Sequence, residues 1–351
     1  MNPSRRSFLA GLSVLAVGPL LAACGDNGGE ASDETVGGAD TPVPTEADAF
    51  PVTVSHKYGE TTIEKAPTRV VCVGLTEQDA LLALGIAPVA VTKWFGEAPG
   101  FIFPWAVDKL GGAELPEVLE DTNGVQIEKI AALRPDLIIG QYSGLTKKDF
   151  ELLSQLAPTV AQPGEYADYG APWDEMAMNI ATAVGQPAAM QAIVDDVKKQ
   201  VTDAAAAHPE FQGQSAAVVT PYEGLFVYGP EDPRSRMLVD LGFTFPSEVF
   251  GEDQEEFGES LSAERTSDLD QVGVVVWLDL ETEPAVKKVF DQTATSADGR
   301  WVDISEKDGD YYVAHSFVTP LSIPYLLERY VPQLAAAADG DPATVPPKAA
   351  A

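Results

Sequence analysis

Trp94, Tyr142, Tyr166, Tyr169, Trp173, Tyr222 and Trp277 lie at or just past the ends of short apolar runs or in the loops that follow them. Arg234 and Arg236 share one loop that opens a helical pattern. Aromatic rings offer large rigid apolar faces with polar handles, which suits a bulky amphipathic ligand. Arginine adds a planar donor fork matched to carboxylate or catecholate oxygens. Each residue also has a plain structural reading. Trp173 can be packing at a helix start, Trp277 can be buried at the end of Val274–Val276, and the tyrosines can be surface side chains. One of the two arginines is expected to pair with Glu231 or Asp232.

Chemistry of other kinds finds little support. No Gly-x-Ser-x-Gly elbow, His-Glu-x-x-His run or glycine-rich phosphate loop occurs, so no enzyme is expected. An exported α/β hydrolase is the alternative from a different functional class. Free transition-metal carriers need clustered ligands, whereas His56, His208 and His315 are far apart in the chain. His315 follows Tyr311-Tyr312-Val313-Ala314. It is either a structural histidine or, paired with a tyrosine, a ligand for haem iron.

The elements that must position these residues alternate. Pro51–Ile63 reads as a hairpin turning near Gly59. Val70–Leu75 is a strand, and Thr76-Glu77-Gln78-Asp79 opens a helix, with Thr76 placed to cap it. Ala87–Thr92 and Asp136–Gly140 read as strands, the second entered from the helix Ile127–Arg134. Met190, Ile193, Val194, Val197 and Val201 recur at helical spacing across Gln186–His208, the longest such pattern, with proline at each end. Strand Ser215–Thr220, a helix near Arg236–Leu241, a helix Ser262–Leu269 and strand Val272–Leu278 follow. This order predicts an α/β fold of two Rossmann-like lobes with parallel sheets, joined by one long rigid helix, with the ligand cleft between them. A single large α/β domain is the competing architecture.

The N-terminus reads as an address. Ser4-Arg5-Arg6-Ser7-Phe8-Leu9 resembles a twin-arginine export signal, and the apolar run to Ala23 is short of the ~20 residues a permanent span needs. Leu21-Ala22-Ala23-Cys24 resembles a lipobox, with Cys24 diacylated and anchored, since two chains hold a membrane where one does not. Residues 24–49 are an acidic, Gly/Ser/Thr/Pro-rich tether. The remaining boundaries are 51–184 for the first lobe, 185–209 for the connecting helix, 210–338 for the second lobe and 339–351 for a disordered tail. Cys72 sits in an apolar run and reads as a small core residue, so no internal disulfide is available. The net charge of −32 excludes electrostatic nucleic-acid binding.

Pro67-Thr-Arg69-Val-Val71, Leu84-Gly85-Ile86-Ala-Pro88, Ile127–Gly140, Leu153–Val160, Pro172-Trp173 and Leu238–Phe243 follow one another at a characteristic spacing, with Ser262-Ala-Glu264 completing the run. The whole resembles the ferric-siderophore and cobalamin binding proteins of ABC importers. The resemblance implies a monomeric substrate-binding lipoprotein without a cofactor, held outside the cytoplasm at the membrane, whose partner is an importer permease. The expected ligand is a ferric siderophore, with haem or cobalamin as alternatives on the same scaffold. A hexadentate siderophore already surrounds Fe³⁺ with oxygen, so no protein metal ligand is expected. In the resembled family one glutamate on each lobe engages permease arginines, and the matching positions are Glu128 and Glu264. Both acids also suit a helix first turn without any partner. Overall acidity does not by itself choose the ligand's charge.

Overall fold

The computed structural model of the chain describes residues 45–120, 124–251, 258–304, 309–341 and 343–344. The export signal, the lipobox with Cys24, most of the tether and most of the tail lie outside the described residues.

The first lobe opens with an antiparallel hairpin, β1 (Val52–His56) and β2 (Gly59–Ile63), which turns at Gly59 with φ 121°. The chain then runs β3 (Val70–Cys72), α1 (Glu77–Ala83), β4 (Ala90–Thr92), β5 (Glu117–Leu119), α2 (Ile127–Ala132), β6 (Leu137–Gly140), α3 (Lys147–Leu153) and β7 (Thr159–Ala161). These five strands form one fully parallel sheet in the order β5-β4-β3-β6-β7. Every residue of β3, β4, β6 and β7 is buried, as expected of parallel strands covered on both faces. Cys72 lies within that core. Strand order reverses between β3 and β6, so their carboxyl-end loops flank a crevice.

Helix α4 (Trp173–Ala183) leads into α5 (Pro187–Ala207), whose 21 residues extend roughly 30 Å. Met190 and Val194 of α5 enter the core of the first lobe, whereas Val197 and Val201 enter that of the second. Each such burial contributes about 1.5–3 kcal/mol, so one continuous helix is held by both halves. It contains no glycine, and its proline sits in the first turn, where no amide is lost.

The second lobe continues with β8 (Ala216–Pro221), β9 (Leu225–Tyr228), α6 (Pro233–Asp240), α7 (Ser247–Phe250), β10 (Gly258–Leu261), β11 (Val274–Leu278), α8 (Pro284–Phe290), α9 (Ala294–Ala297), β12 (Trp301–Ile304), α10 (Asp310–Phe317) and α11 (Ser322–Ala338). Its sheet order is β10-β9-β8-β11-β12. Only β8, β11 and β12 are parallel, so the expectation of two parallel sheets is corrected here. The three residues Tyr222-Glu223-Gly224 between β8 and β9 allow a hairpin but no crossover, which forces antiparallel pairing. A second correction concerns Ser262–Leu269, where Ala263–Gln271 is wound as a 3-10 helix.

Helix α10 joins the two cores. Tyr312 and Ala314 pack with the second lobe, while Val313 and Phe317 pack with the first.

Candidate ligand cleft

Short strands ending at the same seam bring the aromatics together. Trp94, two residues past β4, stacks on Phe95 at 4.5 Å and on Phe317 of α10 at 5.1 Å, and tilts toward Tyr142 at 5.7 Å. Tyr142 meets the edge of Tyr169 at 5.1 Å, and Phe95 meets Tyr312 at 5.8 Å. Tyr142 is buried, whereas Trp94, Tyr166, Tyr169 and Trp173 are half-buried. Tyr169 adopts φ 65°, and its hydroxyl donates to Ser143 O at 3.3 Å. A Cβ on Gly144 would lie 2.7 Å from that hydroxyl oxygen, so only glycine lets the two loops approach.

The loop after β6 is held from below by a buried acid. Glu77 Oε1 accepts the amides of Gln141 (2.6 Å) and Tyr142 (2.8 Å), and Oε2 accepts the Thr76 amide at 3.1 Å. Burial pushes this carboxyl up, and the surrounding amides pull it back. Thr76 makes no side-chain cap, so the expected capping role passes to Glu77, which reaches back to the Thr76 amide. A Cβ on Gly74 would fall 1.8 Å from Glu77 Oε1.

Asp79, two residues along α1, is also fully buried. Its Oδ2 accepts Trp105 Nε1–H at 2.8 Å and Thr319 Oγ1–H at 2.5 Å, tying α1 to the connection between α10 and α11. Burial pushes the carboxyl up to about 6, against the pull of those two donors. A proton is therefore held more tightly in the folded chain than in the unfolded one, where the pKa is about 3.9. The resulting stabilisation is complete below about pH 4 and is lost as the pH rises through about 6, by about 3 kcal/mol. Asp79→Asn should remove this component from the pH dependence of stability, which urea unfolding between pH 4 and 7 measures.

The arginines come from α6. Asp232 caps the helix by accepting the Arg234 amide at 2.9 Å, and also accepts Arg234 Nη1–H at 2.8 Å. Arg234 is 6% exposed and lies over the Tyr228 ring at 4.4 Å, so it forms an internal ion pair with Asp232, while its Nε has no hydrogen-bond partner among the described residues. Burial pushes Asp232 up, and the adjacent guanidinium pulls it down. Arg236 is half-buried; its Nη1 donates to Gly170 O of the first lobe at 2.5 Å, and the guanidinium lies 5.8 Å from the Tyr166 ring. The Tyr166 hydroxyl donates to Glu175 Oε1 at 2.6 Å, which pushes that phenol up to about 12.

A cavity of about 330 Å³ opens beside this contact, bounded by Trp173, Asp174 and Glu175 of α4, Lys198 of α5, Arg236 and Asp240 of α6, and Val318. Its size is at the lower end of the range for small-molecule sites. Tyr169, Asp279 (φ 56°) and Val318 (φ 47°) all hold left-handed backbone around the seam, at a cost of order 1–2 kcal/mol each.

Two sequence candidates do not join this group. Trp277 is completely buried on the opposite side of its sheet, 5.0 Å from Phe290, so it is core and is withdrawn as a ligand contact. Inward alternation along β11 decides this, since Trp277 shares a face with Val275. Tyr222 is 61% exposed in the β8–β9 turn and touches only Phe226 among the aromatics described, at 6.5 Å. His315 is also fully buried, 5.0 Å from Tyr330; burial and the Arg234 charge push it down to about 3, so it stays a neutral core group. Phe317, Tyr312 and Lys198 are seam residues absent from the sequence candidates. Their signal was faint, because each lies inside a helix and not after a strand. Glu128 and Glu264 are exposed in the first turns of α2 and of the Ala263–Gln271 helix, and neither forms an ion pair among the described residues.

The model of the family described as "Periplasmic binding protein" matches residues 70–298, which span the first sheet, α5 and strands β8 to β11 of the second sheet. The chain is 28% identical over 213 residues to the Fe(3+) dicitrate-binding periplasmic protein FecB of Escherichia coli, covering 58% of this chain and 65% of that one. Across the curated relatives it matches, the chain spans between 50% and 66% of their own length. A periplasmic solute binding protein of Mycobacterium smegmatis superposes with a TM-score of 0.70 at 34% identity, covering 82% of this chain and 98% of that one. Streptococcus pneumoniae PiaA in complex with ferrichrome superposes equally well, at 0.70 and 25% identity, over 83% and 99% of the two chains. With two α/β lobes on one helix and a matched family model over most of its length, the chain belongs to the periplasmic binding protein family.

Proposed function

We propose that the protein captures a ferric siderophore in the seam between its lobes and delivers it to the permease of an ABC importer. The observation that carries this reading is the seam. Trp94, Tyr142, Tyr166, Tyr169 and Trp173 converge there from the carboxyl ends of the first sheet's strands and the α4 entry, opposite Arg236. FecB and PiaA, named for an iron-chelate ligand and crystallised with one respectively, support the same class of cargo. Such a site binds and releases without a chemical step, and no group of three or more metal-ligating side chains occurs among the described residues.

Admission of a bulky chelate requires the Arg236–Gly170 contact to break and the lobes to part. With α5 packed into both cores, this opening is small, unlike that of hinged strands. Glu128 and Glu264 are proposed as the docking acids, one on each lobe. The N-terminal signal and Cys24 are proposed to place the protein outside the cytoplasm on a diacyl anchor, as a monomer. No helix among the described residues is long and apolar enough to cross a membrane.

Tryptophan fluorescence tests the central claim, because Trp94 and Trp173 line the seam and Trp105 packs beside Phe317 at 6.1 Å. The purified chain is titrated with ferric hydroxamate, ferric catecholate and ferric citrate, with haem and cobalamin as competitors. Saturable sub-micromolar quenching by a ferric chelate is the expected result. Saturation by haem or cobalamin alone would replace the ligand and keep the scaffold.

A further inference from the structure

The charges around the seam discriminate among iron chelates. Lys198 is paired with Asp174 at 2.5 Å, and Arg234 with Asp232 at 2.8 Å, so both cations are already neutralised. Arg236 has no ion pair among the described residues, but its field falls on Asp232 and Asp240, and its Nη1 is committed to Gly170 O. Two further acids bring the seam to an anionic balance. Glu175 accepts a hydrogen bond from the Tyr166 hydroxyl, and Asp279 accepts one from Tyr312. Among these groups Asp174, Glu175 and Asp240 line the cavity with Lys198 and Arg236, so three carboxylates face two cations there, on walls otherwise formed by Trp173, prolines and aliphatic side chains.

A ferric chelate carries its charge on its oxygen ligands. Three hydroxamates, each singly negative, neutralise Fe³⁺, and an amine on the backbone makes the complex cationic. Three catecholates leave a triply negative complex, and ferric citrate complexes are anionic as well. Burying a multiply charged anion requires unpaired donors of opposite sign, since desolvation otherwise exceeds the attraction. The seam has two such groups at most, Arg236, already bonded to Gly170 O, and Arg234, whose buried Nε has no partner among the described residues but whose charge is paired with Asp232. Its tryptophan and tyrosine faces instead match the aliphatic spacers and neutral oxygen shell of a hydroxamate.

Resting on the ferric-chelate reading above, we propose that the cleft is built for a ferric tris-hydroxamate, neutral or cationic, and discriminates against catecholate and citrate complexes. At about 8 Å and an effective dielectric of about 20, one surplus unit charge changes affinity by on the order of tenfold or more.

The test is competitive titration of the full chain with a neutral ferric tris-hydroxamate, a cationic one, a ferric tris-catecholate and ferric citrate. Both hydroxamates are expected to bind at least about tenfold more tightly than either anionic complex, with the gap narrowing as salt screens the field. In Asp240→Asn, whose site is exposed and carries little fold stability, the gap should shrink severalfold. Equal or tighter binding of the catecholate or citrate complex would overturn the charge assignment while leaving siderophore capture intact. A gap that neither salt nor Asp240→Asn alters would overturn its electrostatic basis. Failure of every ferric chelate to bind would instead remove the functional reading itself.

Discussion

Replacement of Glu77 by alanine is expected to cost about 3–5 kcal/mol and to abolish ligand binding before the fold itself is lost. Three backbone amides, those of Thr76, Gln141 and Tyr142, would be left buried without an acceptor, each at about 1–3 kcal/mol less whatever water recovers. The carboxylate sits where the strand order reverses, so the loops it ties are the ones that present Tyr142 and, through Gly144, Tyr169. Glu77→Gln separates position from stability. Its amide oxygen can still accept from Gln141 and Tyr142, but its NH₂ meets the Thr76 amide donor to donor. A loss of about 1–3 kcal/mol is expected, with binding weakened less than in the alanine variant. Urea unfolding and the fluorescence titration read the two effects independently. Wild-type affinity in a folded Glu77→Ala chain would show that the acid does not hold the cleft.

The double substitution Glu128→Ala with Glu264→Ala is expected to eliminate uptake while leaving chelate affinity and stability near wild type. Both side chains are exposed, one on each lobe, and surface changes of this kind shift stability by no more than about 0.5 kcal/mol. Two acids presented on a rigid unit engage two basic sites at once, so losing one weakens docking and losing both removes the bidentate geometry. Radiolabelled iron uptake by cells carrying the variant, compared with chelate binding by the purified protein, separates the steps. Uptake at the wild-type rate in the double variant would sink the docking assignment.

What was legible in the chain was whatever local pattern controls. The hairpin turning at Gly59, the buried runs of β3, β6 and β11, and the α5 helix with its apolar positions three and four apart all follow from periodicity and breakers within a short window. The aromatic candidates were found by one topological rule, that ligands sit beyond strand ends. That rule located Trp94, Tyr142, Tyr166, Tyr169 and Trp173, and it missed Phe317 and Tyr312, which arrive at the seam on a helix from the far end of the chain. It also admitted Trp277, because position after a strand does not say which face a side chain takes.

The sequence by itself therefore determined the two α/β halves and the strut between them, and it placed aromatic residues after the strands, since each is written in neighbouring residues. Tertiary structure alone decided which charges remain free. Asp232 neutralises Arg234 only because a helix cap turns its carboxylate back onto the guanidinium, and Lys198 meets Asp174 only because α4 packs on α5. Asp79 and Thr319 are 240 positions apart and share a proton contact inside the protein. Coulomb energies depend on distance and burial, neither of which a linear order of residues contains.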